Sequence, residues 1–134
     1  MANVIYPLAK QEMLKGNVDL SGTNVKAVLV DGADYTYSAA HQFLSSVNGG
    51  SAVVATSGNF ASKTFVNGLF DADDITFSAV TGDQSEILII YIDTGVSGTS
   101  KLIAYLDTGI TGIPVTPGGG DILVVWDAAG IFQL

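Results

Sequence analysis

A chain of 134 residues carries thirteen acidic side chains against five lysines and no arginine, a net charge of −8 at neutral pH. Phosphate recognition draws on arginine's bidentate fork and on clustered positive charge, so this balance argues against a nucleic-acid partner. With no cysteine, disulfides and thiolate metal sites are excluded, and the longest apolar run, residues 87–92, is too short to cross a bilayer as a helix.

The length suits one domain, residues 1–134, with a core that needs no covalent staples. Charged residues make up 13% of the chain and hydrophobic ones 48%, against about 25% charged in an average soluble domain. A small monomer has a large surface to keep wet. Scarcity of charge therefore points to subunit contacts and an assembly protein. The opening residues lack the basic stretch and apolar core of a signal peptide, so none is expected.

In chain order, Pro7 suits the first turn of a helix, Ala9 and Met13 fall one turn apart, and Gly16 is placed to stop it. Residues 17–20 are expected to begin a strand, and residues 25–30 form a strong one closed by Asp31 and Gly32. A second short helix is expected over 39–46, with Ser38 as N-cap and Asn48, Gly49 and Gly50 ending it.

The remainder reads as β. Residues 52–56 and 60–66 are predicted strands, Asn67-Gly68 a two-residue turn into 69–70, and residues 75–80 a half-buried alternating strand. Residues 86–93 and 101–107 are expected to pair as a hairpin, followed by a loop holding Pro114 and Pro117 and by strands at 122–126 and 131–134. Short strands joined by Gly, Asn and Asp turns predict a mainly all-β fold: a β-sandwich, jelly-roll-like, with one or two short helices near the N-terminus. Residues 87–92 do not alternate, so both faces of that strand must be covered, by a helix or by a neighbouring subunit.

Two near-repeats, residues 91–98 and 105–112, each hold Asp-Thr-Gly after apolar residues, as aspartic proteases do. With the hairpin turn near Ser97, Asp93 lies opposite Lys101 and Asp107 opposite Ile87. A strand rise of about 3.3 Å per residue then sets the two carboxylates roughly 20 Å apart, too far to share a proton. A two-fold dimer escapes that objection, but the chain lacks the later apolar-apolar-Gly segment that braces such sites. The structural alternative is that each triplet ends a strand, Asp starting the turn and Gly taking positive φ.

His41 is the lone histidine and has no evident serine or carboxylate partner, which makes it a helix-surface residue rather than a catalytic one. Asp71, Asp73 and Asp74 form the densest acidic cluster and are the candidate calcium ligands. Counting from Asp71, positions 6 and 12 of an EF-hand would be Thr76 and Gly82, so an EF-hand is excluded and a solvated turn is the alternative. Gly118–Gly120 precede a strand and no Lys-Ser/Thr, so they are not a phosphate cradle. Tyr35, Tyr37 and Phe43 are candidate contact residues, with packing over the end of the sandwich as the alternative. No constellation of catalytic or cofactor-binding residues emerges.

Residues 3–20 followed by 25–30, the stretch Asp71-Ala-Asp-Asp-Ile-Thr-Phe77, the stretch Leu102-Ile-Ala-Tyr-Leu-Asp107 and the ending Trp126-Asp-Ala-Ala-Gly-Ile-Phe-Gln-Leu134 resemble a family of small phage virion proteins. The resemblance covers most of the chain and rests on pattern, since none of its motifs is chemically distinctive. It implies a capsid decoration (cement) protein on the outer capsid surface, a homo-oligomer with a trimer favoured, bound to the major capsid protein, with no enzyme activity and no cofactor. An acidic chain suits the outside of a DNA-filled shell. Residues 1–20 are the expected docking arm, with Tyr6, Met13 and Leu14 in it, and Ile90 and Ile92 of the apolar hairpin are the expected subunit contacts. A tail or baseplate component, a receptor- or carbohydrate-binding module using Tyr35, Tyr37 and Phe43 on an open face, and a dimeric Asp-Thr-Gly protease are the alternatives.

Overall fold

A computed structural model describes residues 3–22, 24–47 and 52–134. In chain order its elements are β1 (Val4–Ile5), α1 (Pro7–Leu14), β2 (Val25–Val30), β3 (Val53–Thr56), β4 (Leu69–Phe70), β5 (Ile75–Phe77), β6 (Ile87–Ile92), β7 (Leu102–Leu106), β8 (Ile122–Val124) and β9 (Phe132–Gln133). A five-stranded antiparallel sheet in the order β1-β7-β6-β2-β3 dominates, and two ribbons, β4-β9 and β5-β8, accompany it. The fold is therefore mainly β with one helix. Among the described residues no helix is long and apolar enough to cross a membrane.

The non-alternating run explains the sheet order. Every residue of β6 is buried, as is every residue of β7. Such strands must lie inside a sheet with both faces covered, and β6 sits between β2 and β7. Antiparallel partners share a face, so Val28, Ile89 and Tyr105 point to one side and Ala27, Ile90 and Ala104 to the other. Tyrosine rings from residues 35–37 and Tyr6 cover the Tyr105 side. The ribbons and their flanks contribute Phe60, Phe70, Phe77 and Trp126 to the same core. The cover thus comes from within the chain. Ile90 and Ile92, expected at a subunit contact, are core residues in the monomer.

The first helix forms as its sequence dictates. Pro7 occupies the first helical position, where its missing N–H costs nothing, and Gly16 turns the chain at φ +76°. Ala9 and Tyr6 are buried, whereas Leu14 is 91% exposed. Glu12 accepts hydrogen bonds from Lys15 Nζ (3.1 Å) and Asn17 Nδ2 (2.8 Å), which holds its carboxyl below the usual range, with the Asn17 bond the main cause.

Three expected elements do not form as drawn. Residues 17–20 stay irregular because Asp19 Oδ1 accepts from both the Ser21 N–H and hydroxyl, a local turn that competes with a strand. Over 39–46 only a 3-10 turn at Leu44–Ser46 appears. Its flanks serve the sheet instead: Leu44 N donates to Ser100 O, Leu102 N donates to Gln42 O, and Phe43 bridges Lys101. The end expected at Asn48–Gly50 lies outside the described residues. Residues 60–66 fail as a strand because Ser62 sits at φ +54°, although Thr64 pairs with Asp71 around the left-handed Asn67 and Gly68, as expected for that turn.

The hairpin has the expected register for its first three pairs, Leu88↔Leu106, Ile89↔Tyr105 and Ile90↔Ala104. A bulge after Ile90 then shifts it by one, so that Tyr91 faces Leu102 and Ile92 N donates to Lys101 O.

Gly112 tests how closely the last loop is packed on the β8 backbone. It sits at φ +111°, and an added Cβ would collide with the Leu123 carbonyl oxygen. Gly112→Ala should lower stability by about 2–4 kcal/mol in chemical denaturation. Gly98, with nothing near its Cβ position and no positive φ, should tolerate alanine within about 0.5 kcal/mol. Equal effects at the two sites would contradict the packing described.

Candidate functional site

The two Asp-Thr-Gly triplets end their strands at opposite ends of the β6–β7 hairpin. Asp93 follows β6, and its Oδ1 accepts from Gly95 N at 2.9 Å. Its Oδ2 pairs with Lys26 Nζ at 2.8 Å, with both side chains about three-quarters buried. Asp107 follows β7 at the other end, where Asn3 Oδ1 accepts from the backbone N–H groups of Asp107 and Thr108. Gly95 and Gly109 adopt φ +86° and +72°. Each triplet thus closes a turn, Asp93 through its own carboxylate and Asp107 through Asn3.

Tyr35, Tyr37 and Phe43 do not share one face. Tyr35 is buried, its hydroxyl within 2.8 Å of both Tyr6 Oη and His41 Nδ1. Tyr37 packs on Tyr6 at a centroid distance of 5.3 Å and edge-on to Tyr105 at 5.5 Å. Phe43 lies apart, beside Lys101 near the hairpin tip. Burial drives the Tyr6 hydroxyl well above the ordinary phenol range and raises that of Tyr35, and it pushes Tyr91 up to about 12, helped by Asp93. His41, expected on a helix surface, is half-buried in an irregular segment and anchors Tyr35. Sequence reading missed this anchor because its partners lie on separate elements.

The expected calcium ligands serve other ends. Asp74 Oδ1 accepts from Trp126 N, the Asp73 carbonyl accepts from Trp126 Nε1, and Asp71 Oδ1 accepts from Ala72 N. The two bonds to Trp126 tie the approach to β5 to the segment that follows β8. Among the described residues the three acids that converge are instead Asp31, Asp34 and Asp83, with carboxylate oxygens within 4.8 Å of one another. Sequence spacing gave no signal for that trio, since the β2 and β6 ends that carry it meet through sheet pairing.

One face gathers the exposed apolar residues of the N-terminal segment. Ile5, Met13, Leu14 and Leu134 line one depression, and Met13, Val18, Leu20, Phe65 and Leu134 line the next. Leu14 is 91% exposed, Leu134 66% and Phe65 42%. Lys10 lines this face and Lys63 donates to the Leu20 carbonyl beside it, while Lys15 pairs with Glu12. Within residues 7–20 the acids are Glu12 and Asp19, so most of the negative charge lies elsewhere. Met13 and Leu14, expected in the arm, fall on this face; Tyr6, also expected there, is buried in the core against Tyr35 and Tyr37.

No protein-family model matches the chain, and no curated protein sequence is significantly similar to it.

The Lys26–Asp93 pair makes a stability prediction. Lys26 and Gly95 N hold the Asp93 carboxyl below the usual range. A depressed folded pKa adds stability above the unfolded value and loses it as pH falls through the folded one. Asp93→Asn preserves the acceptor for Gly95 and should cost about 0.5–1 kcal/mol at neutral pH. The gap to the native chain should close as pH falls below about 4. Urea denaturation of both proteins at each pH checks this, and a gap independent of pH would refute the pairing contribution.

Proposed function

We propose that this chain is a structural virion protein of a bacteriophage, a non-enzymatic capsid decoration protein that docks on the outer capsid surface. The observation that carries the proposal is the exposed apolar face around α1, with Lys10 on its lining, on an otherwise acidic chain. It fits an acidic partner surface with an apolar centre, and the partner proposed is the major capsid protein. Docked in this way, the acidic remainder of the molecule faces outward, where it suits solvent and repels neighbouring particles. The same reading makes the chain a homo-oligomer, a trimer by the family resemblance, and treats the two ribbons as the second layer of a jelly-roll-like sandwich.

The mechanism is mechanical. A standard interface buries about 1,600 Å² in total, and many copies linking neighbouring capsid subunits together raise the cost of opening the shell. The Asp-Thr-Gly triplets are turn closures in this reading, and the aromatic residues stabilise the fold, Tyr35 from beneath the surface.

Leu14→Glu tests the face directly. At 91% exposure Leu14 contributes little to folding, so the variant should unfold like the native chain. Its affinity for capsids stripped of the protein should fall about tenfold or more, as expected for an interface anchor worth roughly 2 kcal/mol. Leu123→Glu, exposed on β8 outside this face, should bind normally. Particles carrying the Leu14 variant should release DNA at a lower temperature or milder osmotic shock. Unchanged binding and unchanged particle robustness would overturn the proposal.

A further inference from the structure

The central sheet has two outer edges, and the chain treats them differently. At one, β1 is two residues long and is flanked by the C-terminal segment, since Val4, Ile5, Phe132 and Gln133 line a common depression. Asn3, just before β1, bonds the backbone of Asp107 and Thr108 through its side chain. At the other edge lies β3, which pairs with β2 alone. Among the described residues no backbone bond reaches Val53–Thr56 from any other segment. Ser57 N donates to Ala27 O, so by the alternation of an antiparallel ladder the N–H and C=O of Thr56 face away from β2. Thr56 is exposed, and Val53, Val54 and Ala55 are half-buried.

Proteins commonly blunt a free edge with lysine, proline or an inward-pointing charge. β3 carries none of these; only a bulge in its pairing with β2, between Leu29 and Val30, interrupts it. Its residues, Val-Val-Ala-Thr, are mostly β-branched and suit strand pairing. It also lies inside a stretch, residues 35–62, that holds no aspartate, glutamate, lysine or arginine. The charge pattern selects the occupant. Two copies of a chain with net charge −8 repel wherever their acids meet, and contact is least opposed where neither bears charge. A foreign charged peptide finds no counter-charge along this strand. A strand set antiparallel to its own copy about a two-fold axis needs no second surface, because each copy supplies the same outward N–H and C=O groups. We infer that β3 pairs antiparallel with β3 of a second copy, joining two five-stranded sheets into one. The contact lies at the opposite edge of the sheet from Ile5 and requires neither the apolar face around α1 nor the virion reading.

Four paired residues per copy fall short of a standard interface, so association is weak in solution, with a dimer Kd of roughly 10–500 µM. Sedimentation velocity and amide NMR of the intact protein, at concentrations from about 10 µM to about 1 mM, test it. The expected result is conversion of monomer to dimer, with concentration-dependent amide shifts centred on Val53–Thr56. Thr56→Asp sets like charges across the two-fold axis and should weaken the dimer about tenfold. Val96→Asp adds the same charge at a side chain 61% exposed on the hairpin tip and should leave the dimer unchanged. Because the shifts are read in the native chain, the inference does not depend on either variant folding. A monomer at every concentration would overturn it, as would an assembly whose shifts lie elsewhere, for instance around Leu14. Shifts at residues 53–56 that appear only when an alternating Val-Thr peptide is added would assign the edge to another chain and sink the self-pairing.

Discussion

The constraint on which the rest depends is the double-sided apolarity of the β6–β7 hairpin. All eleven strand positions of the hairpin, six in β6 and five in β7, are buried, so neither face of the central sheet can be left to water. Burying apolar surface yields about 25 cal/mol per Å², which makes covering these faces the dominant gain available to the chain. Much of the other architecture can be understood as that cover. The tyrosine segment and Tyr6 close one side, the ribbons bring aromatic residues to the core, and β2 supplies the neighbouring strand on which β6 depends for its hydrogen bonds.

Acidic residues meanwhile act mainly as punctuation. Asp19, Asp31, Asp71, Asp93 and Asp127 each accept from a backbone N–H one or two residues on, the short loops that an aspartate stabilises. Asp74 and Asp121 do the same across strands, to Trp126 and Ala79. This use explains how a chain can be strongly acidic while showing motifs that resemble a protease or a calcium loop. The carboxylates are spread over turns because turns are where they are needed.

The sequence made the local features legible. Pro7 and Gly16 bracket α1, the unbroken apolar run marks a buried strand, and Asn67-Gly68 turns the chain. What it hid was decided by distant partners. Residues 39–46 carry enough helical signal to suggest a helix, but Gln42 and Leu44 bond to Leu102 and Ser100, and only a 3-10 turn at Leu44–Ser46 is left. Ser62 has no local reason to adopt a left-handed conformation. The bulge after Ile90 moves Asp93 out of register with Lys101, and its carboxylate pairs instead with Lys26 on β2, the strand on the other side of β6. The pocket lined by Tyr35, Tyr37 and Tyr105 joins residues as far apart as 32 and 114, and the exposed apolar face joins Leu14 to Leu134. Neither has a signature in any single window of sequence.

The order in which these strands come off the chain has a kinetic consequence. Among the described strands, β6–β7 and β2–β3 pair consecutive strands, the former across a short turn; β1 waits for β7, β2 for β6, β4 for β9 and β5 for β8. Loops of such length must close before their pairings return any energy, which places this topology among slow folders. The hairpin can form first and must then wait, flat and oily on both sides, for its covering segments to arrive. During that interval it is the part of the molecule most able to stack with another nascent copy of itself. High-level synthesis therefore sets a race between intramolecular closure and self-association, and cooler, slower expression favours the former.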